Sequence, residues 1–410
     1  MTAAQLKIAM LSVHGCPTRR LGGKDAGGMN VYIRELAREL GRRGHLVDIY
    51  TRAHDPADDQ VVALAENARL IHLQAGQVED MHKLVVYSYL ADFLCELESF
   101  TERNGLQYDL IHSHYWLSGW VGRCIQHSWD VPHITMFHTL GAVKNTIGMG
   151  EDEPELRIRA EKELAKDCHR IIAATDKEKE DLIRYYDASP QTISVVPCGV
   201  NLDLFQPVDK AIARRRLGFD DDSIILFVGR IDPLKGIDRL LMAMTFLEKR
   251  QGLRLVVIGG DDDSEAEVER LQTLSQKLRI QDSVTFAGPV SQEDLPSYYS
   301  AAQVCVIPSY HESFGLVALE SLACGTPVVA AGVGGIETVV RQDETGYVLK
   351  DNAPPRLADS IAALLSRPDA GARSAASTRA SVLAFGWPNI ADAIIEEYQL
   401  VLENYVAHVC

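Results

Sequence analysis

The stretch IPSYHESFGLVALESLACGTPVV (307–329) decides the fold. It begins at the end of an apolar run, QVCVIP, that reads as a buried strand ending at Pro308. A loop carrying Glu312 follows. A helix starts near Phe314 or Gly315 and carries Glu320, and TPVV opens another strand. Strand, loop, helix and strand in that order make a unit of a parallel sheet. The free N–H groups at such a helix start, together with the helix dipole, suit a diphosphate. Gly315 lets phosphates approach the backbone closely. Glu320 lies about one and a half turns into the helix, within reach of ribose hydroxyls beyond the diphosphate. The spacing alone fits equally well a capped helix with two solvated carboxylates.

Upstream, SIILFVGRIDPLKGIDRL (223–240) ends a strand at a turn flanked by Arg230 and Lys235. Both can neutralise phosphate, Arg as a planar fork and Lys as a point charge. The runs LRLVVIGG and SVTFAGP repeat the strand–helix alternation. The first half of the chain shows it too, in KIAMLSV, LVDIYTR, RLIHLQ, DLIHSH, HITMFH, RIIAAT and ISVVP. Most of these runs are continuously apolar, which suits parallel strands buried on both faces. MNVYIRELARELGRRG places Met29, Ile33, Leu36, Ala37 and Leu40 on one helical face. NLDLFQPVDKAIARRRLGFDDD reads as a linker, and IADAIIEEYQLVLENYVAHV as a long closing helix. The expectation is an α/β protein of two Rossmann-like, doubly wound domains, 1–203 and 204–386. They face a cleft, and a helix at about 387–410 returns to the first domain. Ligands bind such sheets at the carboxyl ends of the strands.

Composition narrows the function. The chain has 410 residues, enough for two cores, and a net charge of −16, which opposes nucleic-acid binding. It has no apolar run of membrane-spanning length, and its start lacks a charged leader region, so a cytoplasmic protein is expected. The eight cysteines form no C-x-x-C pair and read as buried, reduced thiols, with no metal ligands among the cysteines or the thirteen histidines. GGDDDSEAE (259–267) superficially offers a D-x-D metal motif but reads as a solvated loop opening a helix.

The motifs G-R-x-x-P-x-K-G (229–236) and H-E-S-F-G-L-x-x-x-E-x-x-A-x-G-x-P-V-V (311–329) resemble the donor domain of retaining GT-B glycosyltransferases of the family 4 type. That family includes sucrose-phosphate synthase and the inositol-phosphate glycosyltransferase of mycothiol synthesis. The resemblance covers essentially the whole chain. It implies that Arg230 and Lys235 hold the donor diphosphate and that Glu320 binds the ribose. It also implies that Glu312 contacts the transferred sugar, and that the amides of Phe314, Gly315 and Leu316 meet the phosphates.

HGCPTRRLGGKDAGGMN (14–30) is a glycine-rich loop whose Gly27–Gly28 pair resembles the family loop touching donor phosphate and acceptor. HSHYWLSG (112–119), with Tyr115, and FHTLGAVKN (137–145), with Thr139, follow strands, so their polar groups are expected in the cleft. His138 resembles the family histidine beside the transferred sugar. By the same resemblance Lys83, Lys144 and either Arg157 or Arg159 grip an acceptor phosphate. The implied mechanism is front-face attack, with the leaving diphosphate helping to deprotonate the acceptor. It needs no cofactor and no divalent metal. The donor expected is a UDP-sugar, UDP-glucose first, and the acceptor a sugar phosphate, fructose 6-phosphate first. UDP-GlcNAc with an inositol phosphate is the alternative. HTLGAVK resembles the sucrose-phosphate synthases, whereas DAGGMNVY and HSHYWLSG resemble the inositol-phosphate enzyme. Met29 stands where the former tend to carry Gln. A polymer-extending synthase, a non-catalytic binding module and a sugar-nucleotide epimerase of the same fold are further alternatives. The oligomeric state is left open.

Overall fold

The computed structural model describes residues 5–19, 27–149, 152–219, 222–247, 252–261, 264–366 and 371–409. Residues 20–26 of the glycine-rich loop, and Asp262 and Asp263 of the acidic run, lie outside them.

The first unit opens with β1 (Lys7–Leu11), α1 (Gly28–Arg42), β2 (Leu46–Arg52), β3 (Val61–Ala65) and β4 (Ala68–Leu73). It continues with α2 (Lys83–Ser88), α3 (Leu90–Arg103), β5 (Leu110–His114), α4 (Tyr115–Trp129) and β6 (His133–Met136). It closes with α5 (Gly141–Ile147), α6 (Glu155–Asp167), β7 (Arg170–Ala173), α7 (Asp176–Tyr186) and β8 (Ile193–Val195). The strands form one sheet in the order β3-β4-β2-β1-β5-β6-β7-β8. All neighbours pair parallel except β3, which runs antiparallel to β4.

The second unit holds α8 (Lys210–Leu217), β9 (Ser223–Val228), α9 (Ile237–Met244), β10 (Leu253–Ile258) and α10 (Glu265–Lys277). Then follow β11 (Val284–Gly288), α11 (Leu295–Ala301), β12 (Val304–Ile307), α12 (Leu316–Ala323) and β13 (Val328–Ala331). The unit ends with α13 (Ile336–Val339), β14 (Gly346–Leu349), α14 (Pro354–Leu365) and α15 (Gly371–Ala380). Its sheet is wholly parallel, in the order β11-β10-β9-β12-β13-β14. The strand order reverses between β1 and β5 in one sheet and between β9 and β12 in the other. Loops leaving those carboxyl ends diverge to opposite faces and open a crevice.

Strand burial matches the apolar runs. Ile8, Met10, Ile49, Leu70, Leu226, Val256 and Val306 are fully buried. On α1 the apolar stripe buries Ile33, Leu36, Ala37 and Leu40 completely, while Met29 stays half-buried at the helix start. β3 and β14, which the apolar runs did not announce, are partly exposed edge strands.

The last helix, α16 (Trp387–Val409), returns to the first unit. Glu397 accepts from Ser194 Oγ at 2.7 Å, and Tyr398 Oη meets His112 Nδ1 at 2.7 Å. The chain therefore crosses between the units twice. The two crossings lie side by side, with Val200 N donating to Phe385 O at 2.9 Å.

Candidate active site

The donor side is built by the loops after β9 and β12. In the first, Pro233–Lys235 forms a single 3-10 turn capped by Asp232, whose side chain accepts from Leu234 N. Gly236 closes that turn at φ +66, and a Cβ there would lie 2.1 Å from Pro308 O. Only glycine lets the two loops touch, and the contact directs Lys235 towards the second loop. There Lys235 Nζ donates to Glu312 Oε1 at 2.5 Å, and Ser309 Oγ donates to the same oxygen at 2.8 Å. Burial alone would raise the Glu312 carboxyl. The charge and hydrogen bond of Lys235, with Ser309, outweigh it and hold the group below its ordinary value. Arg230 is half-buried two residues beyond β9.

Gly315 is the N-cap of α12, at φ +98, so the amides of Phe314, Gly315 and Leu316 lie at a helix start. Phe314 is buried and Leu316 half-buried. Across the crevice, Gly27 caps α1, and its N–H donates to Asn30 Oδ1 at 3.2 Å. A Cβ on Gly28 would lie 3.1 Å from Leu316 Cδ1, so the starts of α1 and α12 face each other in near contact. Glu320 accepts from Tyr299 Oη at 2.7 Å. Burial pushes its carboxyl up to about 7, against the lowering pull of bonds from Tyr299 and Gln292.

On the acceptor side, three cations converge on one carboxylate. Lys83, the first residue of α2, donates to Glu153 Oε1 at 3.2 Å, and Lys144 of α5 donates to the same oxygen. Arg157 Nη1 approaches it to 2.9 Å. Arg157 is 1% exposed and is held on every side. Its Nε donates to Glu161 Oε1 at 2.6 Å. Its Nη2 donates to Thr139 O at 2.8 Å and to Thr139 Oγ1 at 3.0 Å. Its guanidinium carbon stands 4.8 Å over the Tyr115 ring. Burial favours the neutral Glu153 carboxyl, but Arg157, Lys144 and Lys83 overcome it and hold the group at about 2. Burial, and then the neighbouring Lys144, lower Lys83.

His138, at φ +60, places Nε2 3.0 Å from His114 Nδ1. Burial first, then the nearby His112 and His14, lower it to about 3, so its imidazole is neutral near pH 7. His311 links the two sides. Burial lowers it to about 4, with Lys235, Lys144 and Arg157 adding to the effect. Its Nε2 is buried without a hydrogen-bond partner among the described residues.

Several sequence expectations are corrected. Arg159, the other register for the phosphate grip, lies two residues from Arg157 on an α-helix. It therefore points elsewhere and is exposed. His112 and Ser113 do not reach the cleft, because they belong to β5 itself. His112 meets Tyr398 on one face of the sheet, and Ser113 meets His133 and Thr135 on the other. Cys95 and Cys124 are exposed on helices rather than buried. Glu153 and His311 were not singled out. Glu153 leaves a faint trace as an acidic residue four positions before Arg157. His311 sits inside the H-E-S-F-G motif.

Two parallel-sheet units that meet at their carboxyl ends, with two helix starts opposed across the seam, define a GT-B glycosyltransferase. Residues 26–204 match the family described as Glycosyltransferase Family 4, and residues 209–381 the one described as Glycosyl transferases group 1. The chain belongs to this glycosyltransferase family. The D-inositol 3-phosphate glycosyltransferase of Streptomyces scabiei is 41% identical, with 97% of this chain and 92% of that one covered. D-inositol 3-phosphate glycosyltransferase 2 of Catenulispora acidiphila is 42% identical, with 98% and 97% covered. Among solved structures, the sucrose-phosphate synthase of Thermosynechococcus elongatus aligns with a TM-score of 0.90 at 36% identity, covering 98% of this chain and 100% of that one. Anabaena HepE, solved with UDP and glucose, shares the fold at 19% identity, with a TM-score of 0.78 and coverage of 96% and 100%. No described helix is long and apolar enough to cross a membrane.

Proposed function

We propose that this glycosyltransferase moves N-acetylglucosamine from UDP-GlcNAc to an inositol phosphate, with retention at the anomeric carbon. The observation that carries the acceptor class is the convergence of Lys83, Lys144 and Arg157 on the Glu153 carboxylate. A protein of net charge −16 gathers three cations around one buried anion. A phosphate of the acceptor takes up the same geometry. Fructose 6-phosphate came first on motif grounds. The names of the relatives at 41% and 42% identity, and Met29 in place of Gln, now favour the inositol phosphate. The likeness to sucrose-phosphate synthase keeps fructose 6-phosphate as the second reading.

In this reading the uridine ribose bonds to Glu320, and the diphosphate lies between Arg230, Lys235 and the starts of α12 and α1. The acceptor hydroxyl attacks the anomeric carbon from the face that the diphosphate leaves. As the bond to the β-phosphate oxygen breaks, that oxygen takes the hydroxyl proton, and UDP departs. Arg230, Lys235 and the helix amides stabilise the charge growing on the leaving group, the role given to fixed donors in oxyanion stabilisation. Neutral His138 offers one ring nitrogen to a sugar hydroxyl, and Glu312 takes hydroxyls of the transferred sugar.

UDP release should be measured from UDP-GlcNAc and UDP-glucose with inositol phosphates, fructose 6-phosphate and unphosphorylated inositol. Turnover on an inositol phosphate with an α-linked product is expected. Equal turnover on free inositol would overturn the phosphate cradle, and a β-linked product would overturn retention. EDTA should leave the rate unchanged, whereas a loss restored specifically by magnesium would sink the metal-free transfer.

A further inference from the structure

The carboxyl ends of three neighbouring strands bring together a soft and hard ligand set. β4, β2 and β1 are adjacent in the sheet. His72 lies within β4, His54 and Asp58 in the loop after β2, and Cys16 in the loop after β1. Ligand atoms of Cys16, His54 and His72 all lie within 4.8 Å of one another. Cys16 Sγ is 3.6 Å from His72 Nε2. Asp58 Oδ2 is 3.0 Å from His54 Nδ1 and 3.7 Å from His72 Nε2. Tetrahedral zinc, with bonds of about 2.0 Å to nitrogen or oxygen and about 2.3 Å to sulfur, spaces its ligand atoms by roughly 3.3–3.6 Å.

Before an ion binds, Cys16 Sγ hydrogen-bonds His72 Nε2 and, at 3.2 Å, Thr18 Oγ1, and two further features suit a shared centre. His54 Nδ1 and Asp58 Oδ2 are buried and close, yet neither has hydrogen-bonding geometry with any described group. His72 Nδ1 lies 2.8 Å from Asp59 O. A carbonyl can only accept, so Nδ1 carries the proton and the Nε2 lone pair faces Cys16. A zinc-ligating histidine is typically fixed in this way. Arg19 and Arg52 border the same pocket, but each is committed elsewhere. Arg19 pairs with both Asp80 oxygens, and Arg52 donates to the carbonyls of Ala53, Gln77 and Glu79.

We propose that Cys16, His54 and His72 form a binding site for a zinc-class divalent cation, with Asp58 beside the two imidazoles and water completing the tetrahedron. One thiolate and the neighbouring carboxylate balance the ion's two charges. Binding forms three bonds from the protein and one from water, and releases the Cys16 thiol proton to solvent. The ion would clasp the loop after β1 to β2 and β4. Asn30 Nδ2 donates to Cys16 O at 2.8 Å, so the clasp reaches the start of α1.

The test uses the full chain with Cys95→Ser and Cys124→Ser, which removes the exposed thiols among the described residues, and with Cys410→Ser, after chelator treatment. Titration with Co2+ should give one equivalent, with a thiolate-to-cobalt charge-transfer band and tetrahedral d–d absorption. Added Zn2+ should displace the cobalt and raise Tm. Cys16→Ser should abolish the charge-transfer band, and His54→Asn, at the half-buried ligand, should weaken cobalt binding at least tenfold. No band in the parent, or a band that persists in Cys16→Ser, would overturn the site. An octahedral spectrum or unchanged affinity in His54→Asn would also overturn it. Activity is not the readout, so this result and the acceptor assays stand or fall separately.

Discussion

Lys235 Nζ and Glu312 Oε1 lie 2.5 Å apart, bridging the two loops that leave β9 and β12. The pair fixes a cation beside the opposed helix starts and keeps the neighbouring carboxylate ionised. In the proposed reaction, Lys235→Ala removes a charge beside the leaving diphosphate, and it strands a buried carboxylate. A fall in kcat of about 10²–10³-fold is expected, in line with the loss of one fixed transition-state donor. Steady-state kinetics with saturating donor check it, and a change confined to KM would refute the transition-state role.

Burial pushes the Glu320 carboxyl up to about 7, and in the proposed donor mode ribose hydroxyls donate best to its ionised form. UDP binding is therefore expected to release a proton, and affinity to rise with pH through about 7 and then level off. Glu320→Gln should bind UDP more weakly and without that pH dependence. Calorimetry in buffers of different ionisation enthalpy reads the proton directly. Proton-neutral UDP binding by the wild type would rule out this role.

Glu153 occupies the place where an acceptor phosphate is expected. Glu153→Gln should lower KM for a phosphorylated acceptor several-fold and make inorganic phosphate a stronger competitor. It should also cost on the order of 1–3 kcal/mol of stability, because three cations lose their shared anion. The folded-state carboxyl, at about 2, lies below its unfolded value. Its stabilisation is therefore complete above the ordinary carboxylate range and is lost as pH falls towards about 2. Denaturant midpoints of wild type and variant should converge as the solution is acidified. A gap that stays constant down to about pH 2 contradicts the ion-pair account.

Arg157 and Arg159 separate cleanly. Arg157→Lys loses the fork that spans Glu161 and Thr139, and should raise acceptor KM at least tenfold while lowering Tm. Arg159→Ala is exposed and should remain within about 0.5 kcal/mol of wild-type stability, with unchanged acceptor KM. The opposite pattern would restore the other register.

The donor half was legible because its groups sit within single strand–loop–helix passages, where spacing and helix polarity already fix direction. β9 and β12 are continuous apolar runs and declared themselves. β3 did not, because VVALA is half-exposed at a sheet edge and carries no strict alternation. β14 is only four residues long. Glu153 left only a faint trace, for a different reason. Its role arises where α2, α5 and α6 meet, and no local pattern encodes a meeting of three helices. Cys16, His54 and His72 likewise come together only because β1, β2 and β4 are neighbours in a parallel sheet.

The paired crossings at Val200 and Phe385 limit how the halves move. One strand of chain between two bodies permits swivelling in any direction, whereas two strands bonded side by side permit folding about their common line. The Gly28–Leu316 contact then works as the opening edge and the Val200–Phe385 bond as the spine. Any opening of the crevice is thereby confined to one rotation, like a page turning, while Tyr398 and His112 keep the last helix sewn to one cover.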